Sequence, residues 1–256
     1  MDAKVTPQVL RGMRDILPEK MILRQYVIGV LRSVFESYGF EPLETPAIEY
    51  AEVLEGKSGD EADTLMYRFE DRGGRRVGLR YDLTVPLARV AASYGDLIKP
   101  FKRYQIAPVW RAERPQRGRF REFYQCDVDT VGSKSLLADA EVVAVAQTAL
   151  TRLGFARFRI KLNNRKLLAA LGEYAGVPAE RVGGLYRAID RIDKAGVEAV
   201  RSELTDSGID PETAGRLLDL VRVSGEPENV LARTSETLAA LPGATTGVNE
   251  LTELVG

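Results

Sequence analysis

Five arginines fall between Arg111 and Arg121 in the segment WRAERPQRGRFREFYQCDVD, and Gln125, Asp127 and Asp129 follow at every second position. A guanidinium carries a permanent charge and a planar fork of donors that fits phosphate or carboxylate oxygens. Strand residues two apart point to the same side, so Arg121, Phe123, Gln125, Asp127 and Asp129 share one face, opposite Tyr124, Cys126 and Val128. Arg111 and Glu113 fall together in the preceding strand pattern. In VGLRYDLT, Arg80, Asp82 and Thr84 lie opposite Val77, Leu79, Tyr81 and Leu83. If these strands are neighbours, their polar faces form one surface with an aromatic ring, Phe123, among charges. Such a surface can hold a nucleotide, with an ammonium group against Asp82 and Gln125. The same alternation also describes the wet side of an antiparallel sheet, and ERPQRGR also reads as a solvated basic turn.

Composition narrows the chemistry. The chain has 256 residues, 45% of them hydrophobic and 29% charged, enough for one large domain or a domain with a smaller companion. A formal net charge of −1 excludes a generally basic nucleic-acid coat, so any polyanion site is local. The absence of histidine removes Ser-His and Cys-His catalysis and every histidine metal ligand, and a single cysteine, Cys126, rules out an internal disulfide. There is no signal-peptide pattern and no long apolar run, so the expected location is cytoplasmic.

The elements that must position these residues can be sketched from periodicity. Residues 1–18 read as an irregular arm. Leu23, Val27, Val30, Leu31, Val34 and Tyr38 repeat at helical spacing after Pro18, with Gly39 placed to stop the helix. FEPLETPAIEY is extended, because its prolines forbid helix. Two strands meet at Gly73-Gly74, a helix starts near Pro86, and two strands flank the arginine-rich segment. LLADAEVVAVAQTALTRLGF is a helix ending at Gly154, and FRIKLNN alternates as a further strand. From about residue 165 to 245 only helical patterns appear. The expected fold is α+β, a mostly antiparallel sheet flanked by helices with a helical module attached.

These segments resemble a known family. WRAERPQRGRFREFYQCDVD is similar to motif 2 of class II aminoacyl-tRNA synthetases in its histidyl form, and LRYDLTVPLAR to the family's histidine-binding strand. RGMRDILP resembles the N-terminal signature, and GFEPLETPAIE resembles motif 1, with Pro46 as its proline. The resemblance runs in order from about Val9 to Asn164. It implies residues 1–164 as the N-terminal part of the catalytic core, 165–245 as the insertion module, and 246–256 as the start of the returning catalytic segment. The Arg-Gly-Leu-Asp-Tyr-Tyr segment, motif 3 and an anticodon-binding domain are not found, so the C-terminal part of the sheet is expected to be missing.

The reaction implied is attack of the histidine carboxylate on the α-phosphate of ATP, which expels pyrophosphate and gives histidyl-adenylate, followed by acyl transfer to tRNA with release of AMP. By resemblance, Asp82, Leu83, Thr84 and Gln125 hold the substrate's ammonium end, and Asp129 accepts from its imidazole. Arg111 is the catalytic residue and binds the substrate carboxylate and α-phosphate. Glu113 and Phe123 hold adenine, and Arg119 and Arg121 meet the outer phosphates with Mg2+. L-histidine, ATP and the histidine tRNA are the implied partners, and a homodimer through motif 1 is expected. Two alternatives remain open. One is a histidine-binding regulatory subunit of ATP phosphoribosyltransferase; the other is an interaction module that reuses the fold.

Overall fold

A computed structural model describes residues 6–56, 65–178 and 182–255. The chain divides into two compact units, residues 1–158 and 159–256. The first unit is α+β. Helix α1 (Pro18–Ser37) begins with proline in its first turn, where the missing N–H costs nothing, and ends before Gly39 at φ 75°. Strand β1 (Glu41–Pro42) pairs parallel with β5 (Phe101–Trp110), which pairs antiparallel with β6 (Glu122–Val131). A second sheet has β4 (Arg76–Leu79) between β2 (Ile48–Tyr50) and β3 (Tyr67–Glu70), all antiparallel. The short helix α2 (Ala51–Glu55) follows β2. The sheets meet beyond β4, where the Arg80 carbonyl accepts from Trp110 N at 3.0 Å.

Helices α1 and α4 (Leu136–Arg152) cover one side of the β5–β6 ribbon. Val34, Phe35, Phe40, Tyr104, Val145 and Ala149 form the buried core there, with Ile106 and Val128 against it. The even-numbered residues of β5 and β6 therefore face the helices, and the odd-numbered ones face away. Ser135 caps α4 by accepting from Leu137 N. Helix α3 (Thr84–Ser93) is tied to β2 by Arg89, whose guanidinium reaches the buried Glu49 carboxylate at 2.7 Å.

The second unit is helical: α5 (Arg165–Tyr174), α6 (Val182–Asp190), α7 (Ile192–Ala195), α8 (Val197–Asp206), α9 (Pro211–Val221), α10 (Pro227–Thr237) and α11 (Pro242–Val255). Its core includes Leu171, Val200, Leu204, Leu217, Leu218 and Leu238. Residues 246–255 lie within α11, which packs on α5, while Gly256 lies outside the described residues.

Three expectations need correction. Residues 158–163 form no strand, because their alternation finds no neighbouring edge to pair with. Strand β4 stops at Leu79, so Asp82 and Thr84 sit in the turn and first residue of α3 rather than on a strand. Arg80 does not join an open polar face. It is 3% exposed and donates to the carbonyls of Thr45 at 2.5 Å and Pro108 at 3.0 Å. Among the described residues no helix is long and apolar enough to cross a membrane.

Candidate functional site

The β5–β6 register fixes which side chains stand opposite one another on the face away from α1 and α4. Arg103 faces Asp129, Gln105 faces Asp127, Ala107 faces Gln125, and Val109 faces Phe123. Ala107 is the smallest side chain in that set, and it lies opposite Gln125. The Gln125 Oε1 atom is buried and has no hydrogen-bond partner in the protein. Buried polar atoms are nearly always satisfied, so such an orphan marks a place where a donor is expected.

Arg103 lies beneath this face and is 0% exposed. Its Nη2 atom is 2.6 Å from Asp129 Oδ2 and donates to the Leu83 carbonyl at 3.1 Å. The contact with Asp129 is a charge pair rather than an aligned hydrogen bond, since Oδ2 has no hydrogen-bond partner. Arg103 Nε and Nη1 are buried and unpartnered as well. Burial lowers the Arg103 pKa, and Asp129, Asp127 and Asp82 oppose that shift. Burial conversely pushes the carboxyls of Asp127 and Asp82 above the usual aspartate range. The Val85 N–H and the charges of Arg111 and Arg103 draw Asp82 partly back. Three carboxylates and two guanidiniums thus lie within electrostatic reach of one another.

Asp82 is half-buried and accepts from Val85 N at 3.0 Å, which holds the turn that opens α3. Leu83 is fully buried, packed with Ala107, Val109 and Phe123, so its contribution to the face passes through its carbonyl. Thr84 is exposed at the start of α3. Arg111 is held from below, its Nε donating to the Tyr81 carbonyl at 3.1 Å, and its guanidinium lies 5.1 Å from the Phe123 ring centroid.

The loop beyond β5 divides into held and open parts. Glu113 and Arg119 are exposed. Arg121 is engaged with the N-terminal arm: Nε donates to the Glu113 carbonyl at 3.1 Å and Nη1 to the Arg11 carbonyl at 3.2 Å. Its backbone N–H donates to Gly12 at 2.7 Å. Gly12 has φ 89°, and a side chain there would meet the Arg121 stem at 2.9 Å. Arg14 adds a cation–π contact, 3.7 Å from the Phe120 ring centroid. The arm thus packs onto the arginine-rich loop.

Phe123, Gln125 and Asp129 share the face by register. Arg111 joins through Phe123, and Asp82 through its charge coupling to Arg111 and Arg103. Glu113, Arg119 and Thr84 lie at its exposed margin, and Arg121 is tied into the loop. Sequence reading missed Arg103 and Gln105. Extending the phase of Arg111 backward along β5 passes through both, so the signal was present. Gln105 is 2% exposed and donates to Thr45 Oγ1 at 3.1 Å. Among the described residues no group of three or more carboxylate, histidine or cysteine side chains is arranged to hold a metal ion.

The comparisons agree with this architecture. The model of the family described as histidyl-tRNA synthetase matches residues 12–256. A histidine–tRNA ligase from Rhodopirellula baltica is 45% identical over 252 residues, covering 98% of this chain and 57% of that protein. One from Aeropyrum pernix is 50% identical over 232 residues, covering 88% and 52%. The chain therefore spans little more than half the length of these relatives. The crystal structure of histidyl-tRNA synthetase from a Nostoc species superposes with a TM-score of 0.87 at 34% identity, covering 98% of this chain and 57% of that one. A Bacillus halodurans structure described as an ATP phosphoribosyltransferase regulatory subunit/histidyl-tRNA synthetase gives 0.83 at 25% identity, covering 99% and 65%. With the fold, the order of its motifs and these matches in agreement, the chain belongs to the histidyl-tRNA synthetase family.

Proposed function

We propose that this chain supplies the N-terminal part of a histidine–tRNA ligase core, which activates histidine with ATP and passes it to tRNA. Asp82 and Gln125 receive the substrate's ammonium group, with Leu83 and Thr84 shaping that end, and Asp129 accepts from the imidazole. Arg111 binds the substrate carboxylate and the α-phosphate, where negative charge develops as the adenylate forms. Phe123 and Glu113 hold adenine, and Arg119 meets the outer phosphates. Arg121 acts mainly by fixing the loop, with its remaining nitrogen toward the phosphates. ATP enters as its magnesium complex.

The observation that carries this reading is the buried, unpartnered Gln125 Oε1 on the same ladder face as Phe123 and Asp129. An acceptor left without a donor, on a face that also carries aspartate side chains, suits a cationic substrate. Histidine titrated calorimetrically into a longer protein, of its relatives' full length and with this chain as its N-terminal part, is expected to bind, and Gln125→Leu is expected to weaken binding about tenfold or more. Unchanged binding in that variant would contradict the assignment.

A second reading, histidine sensing without adenylation, draws on one feature. On the amino-acid side of the face Asp129 is charge-paired with the buried Arg103, whereas Glu113 and Arg119 on the nucleotide side are exposed. Tight histidine binding with no ATP-dependent chemistry would favour it. The helical unit is proposed as an insertion module that approaches the tRNA acceptor arm, and its deletion from the longer protein is expected to lower tRNA affinity. Homodimerisation is supported by exposed Ile22, Leu23 and Tyr26 on α1 and is testable by sedimentation.

A further inference from the structure

Arg103 has no part in the assignments above, yet it touches the supports of both ends of the amino-acid pocket. From β5 its Nη2 reaches Asp129 on β6, and the same nitrogen donates to the Leu83 carbonyl in the turn that carries Asp82 and Thr84. One side chain thus bridges the strand of the imidazole acceptor and the turn of the ammonium acceptor. The layering is informative. Arg103 has no exposed side-chain surface, whereas Asp129 is 28% exposed with its Oδ2 atom buried on the arginine. That leaves Oδ1 as the oxygen available to a ligand.

We propose that Arg103 is the positioning residue of the amino-acid half of this site, locking the Asp129 carboxylate and the Leu83 carbonyl from beneath and so setting how the imidazole and ammonium groups are received. The proposal rests on the reading of histidine as substrate. A purely structural cation would explain burial by itself. It would not require a partner whose open edge lies on the candidate site. The charges around Arg103 add a second consequence. Asp129 and Asp127 face it from β6, Asp82 from the turn before α3, and Arg111 stands at the end of β5. Three neighbouring carboxylates favour protonation of one of them, and Arg103 counters this from below. Arg103 has unpartnered Nε and Nη1 atoms, so it holds donor capacity beyond the contacts it makes.

The test uses the longer protein that contains this chain. Arg103→Gln removes the charge, and Arg103→Lys keeps it but loses the fork. In histidine-dependent ATP–pyrophosphate exchange, Arg103→Gln is expected to raise KM for histidine about tenfold or more while KM for ATP stays within about twofold. Without the cation the carboxylates protonate more readily, so the acid limb of kcat/KM for histidine is expected to move to higher pH. Arg103→Lys is expected to keep the wild-type acid limb and to recover only part of KM, and it remains informative if Arg103→Gln does not fold. Equal rises in both KM values, or an unmoved acid limb in Arg103→Gln, would overturn the proposal. Calorimetry separates it from the functional reading. If wild-type protein binds no histidine, both fall. If wild type binds histidine and both variants bind it equally well at every pH, only the role of Arg103 falls.

Discussion

The Arg111 guanidinium lies 5.1 Å from the Phe123 ring centroid while its Nε donates to the Tyr81 carbonyl. An arginine at the end of β5 is thereby held from two sides, by an aromatic on β6 and by the chain leaving β4. Preorganisation of this kind matters for a group that must meet charge as it develops.

Phe123→Leu tests the aromatic side of that arrangement. Phe123 packs with Leu83, Ala107 and Val109, so a leucine preserves much of the packing, and the loss of stability is expected to be about 1 kcal/mol. The lost ring should act on the nucleotide, raising KM for ATP by roughly tenfold, the weight of one good ring contact. Steady-state exchange kinetics beside thermal unfolding would separate the two effects. A stability loss with unchanged KM would leave Phe123 a packing residue.

Arg80→Ala should do the reverse. Arg80 is buried and donates to the Thr45 and Pro108 carbonyls. Its removal leaves two buried acceptors without a donor, at about 1–3 kcal/mol each before any relaxation. Urea unfolding is expected to show a lower midpoint with unchanged slope, and a near-neutral effect would contradict the buried role.

Much of the first unit was legible in the sequence. Helices α1 and α4, the hairpin at Gly73-Gly74 and the ribbon of β5 and β6 follow from periodicity and turn chemistry. The shared face of Phe123, Gln125 and Asp129 follows from alternation. Arg103 was not legible as a buried group. Its environment is assembled from Asp129 on another strand and the Leu83 carbonyl before α3, which no local window contains. Arg80 was misread for a similar reason, because its acceptors come from a loop and from β5. The alternation of 158–163 satisfied the strand pattern but lacked a pairing edge, and no sequence period reports an edge.

The stability of the site is expected to depend on pH through Asp127. Burial raises its carboxyl above the ordinary aspartate range, with Arg103 opposing. Across the window between the ordinary and raised values the folded state holds more protons than the unfolded one, so stability from this group rises as pH falls through it. At neutral pH the burial cost of the charged form is fully present. Asp127→Asn is therefore expected to raise the unfolding temperature at pH 7, with the gain shrinking below the ordinary aspartate range. A variant less stable than wild type at pH 7 would show that the charge pairs outweigh burial.

Within the helical unit, Gly247→Ala probes the packing of α11 on α5. An added Cβ would lie 2.9 Å from the Leu167 backbone N and 3.1 Å from Asn164 Oδ1, so a helix rather than a flexible tip must move. The expected loss is about 1–3 kcal/mol in chemical denaturation. Unchanged stability would mean that α11 shifts freely against its neighbour.

Histidine-dependent ATP–pyrophosphate exchange by the longer protein, wild type against Arg111→Ala, is the most direct test of the proposed adenylation. Wild type should exchange with histidine and not with other amino acids. Arg111→Ala should remain folded and lose on the order of 3 kcal/mol of transition-state stabilisation, a fall in rate of about 100-fold or more. Exchange that does not require histidine, or a folded Arg111→Ala variant exchanging at the wild-type rate, would contradict it.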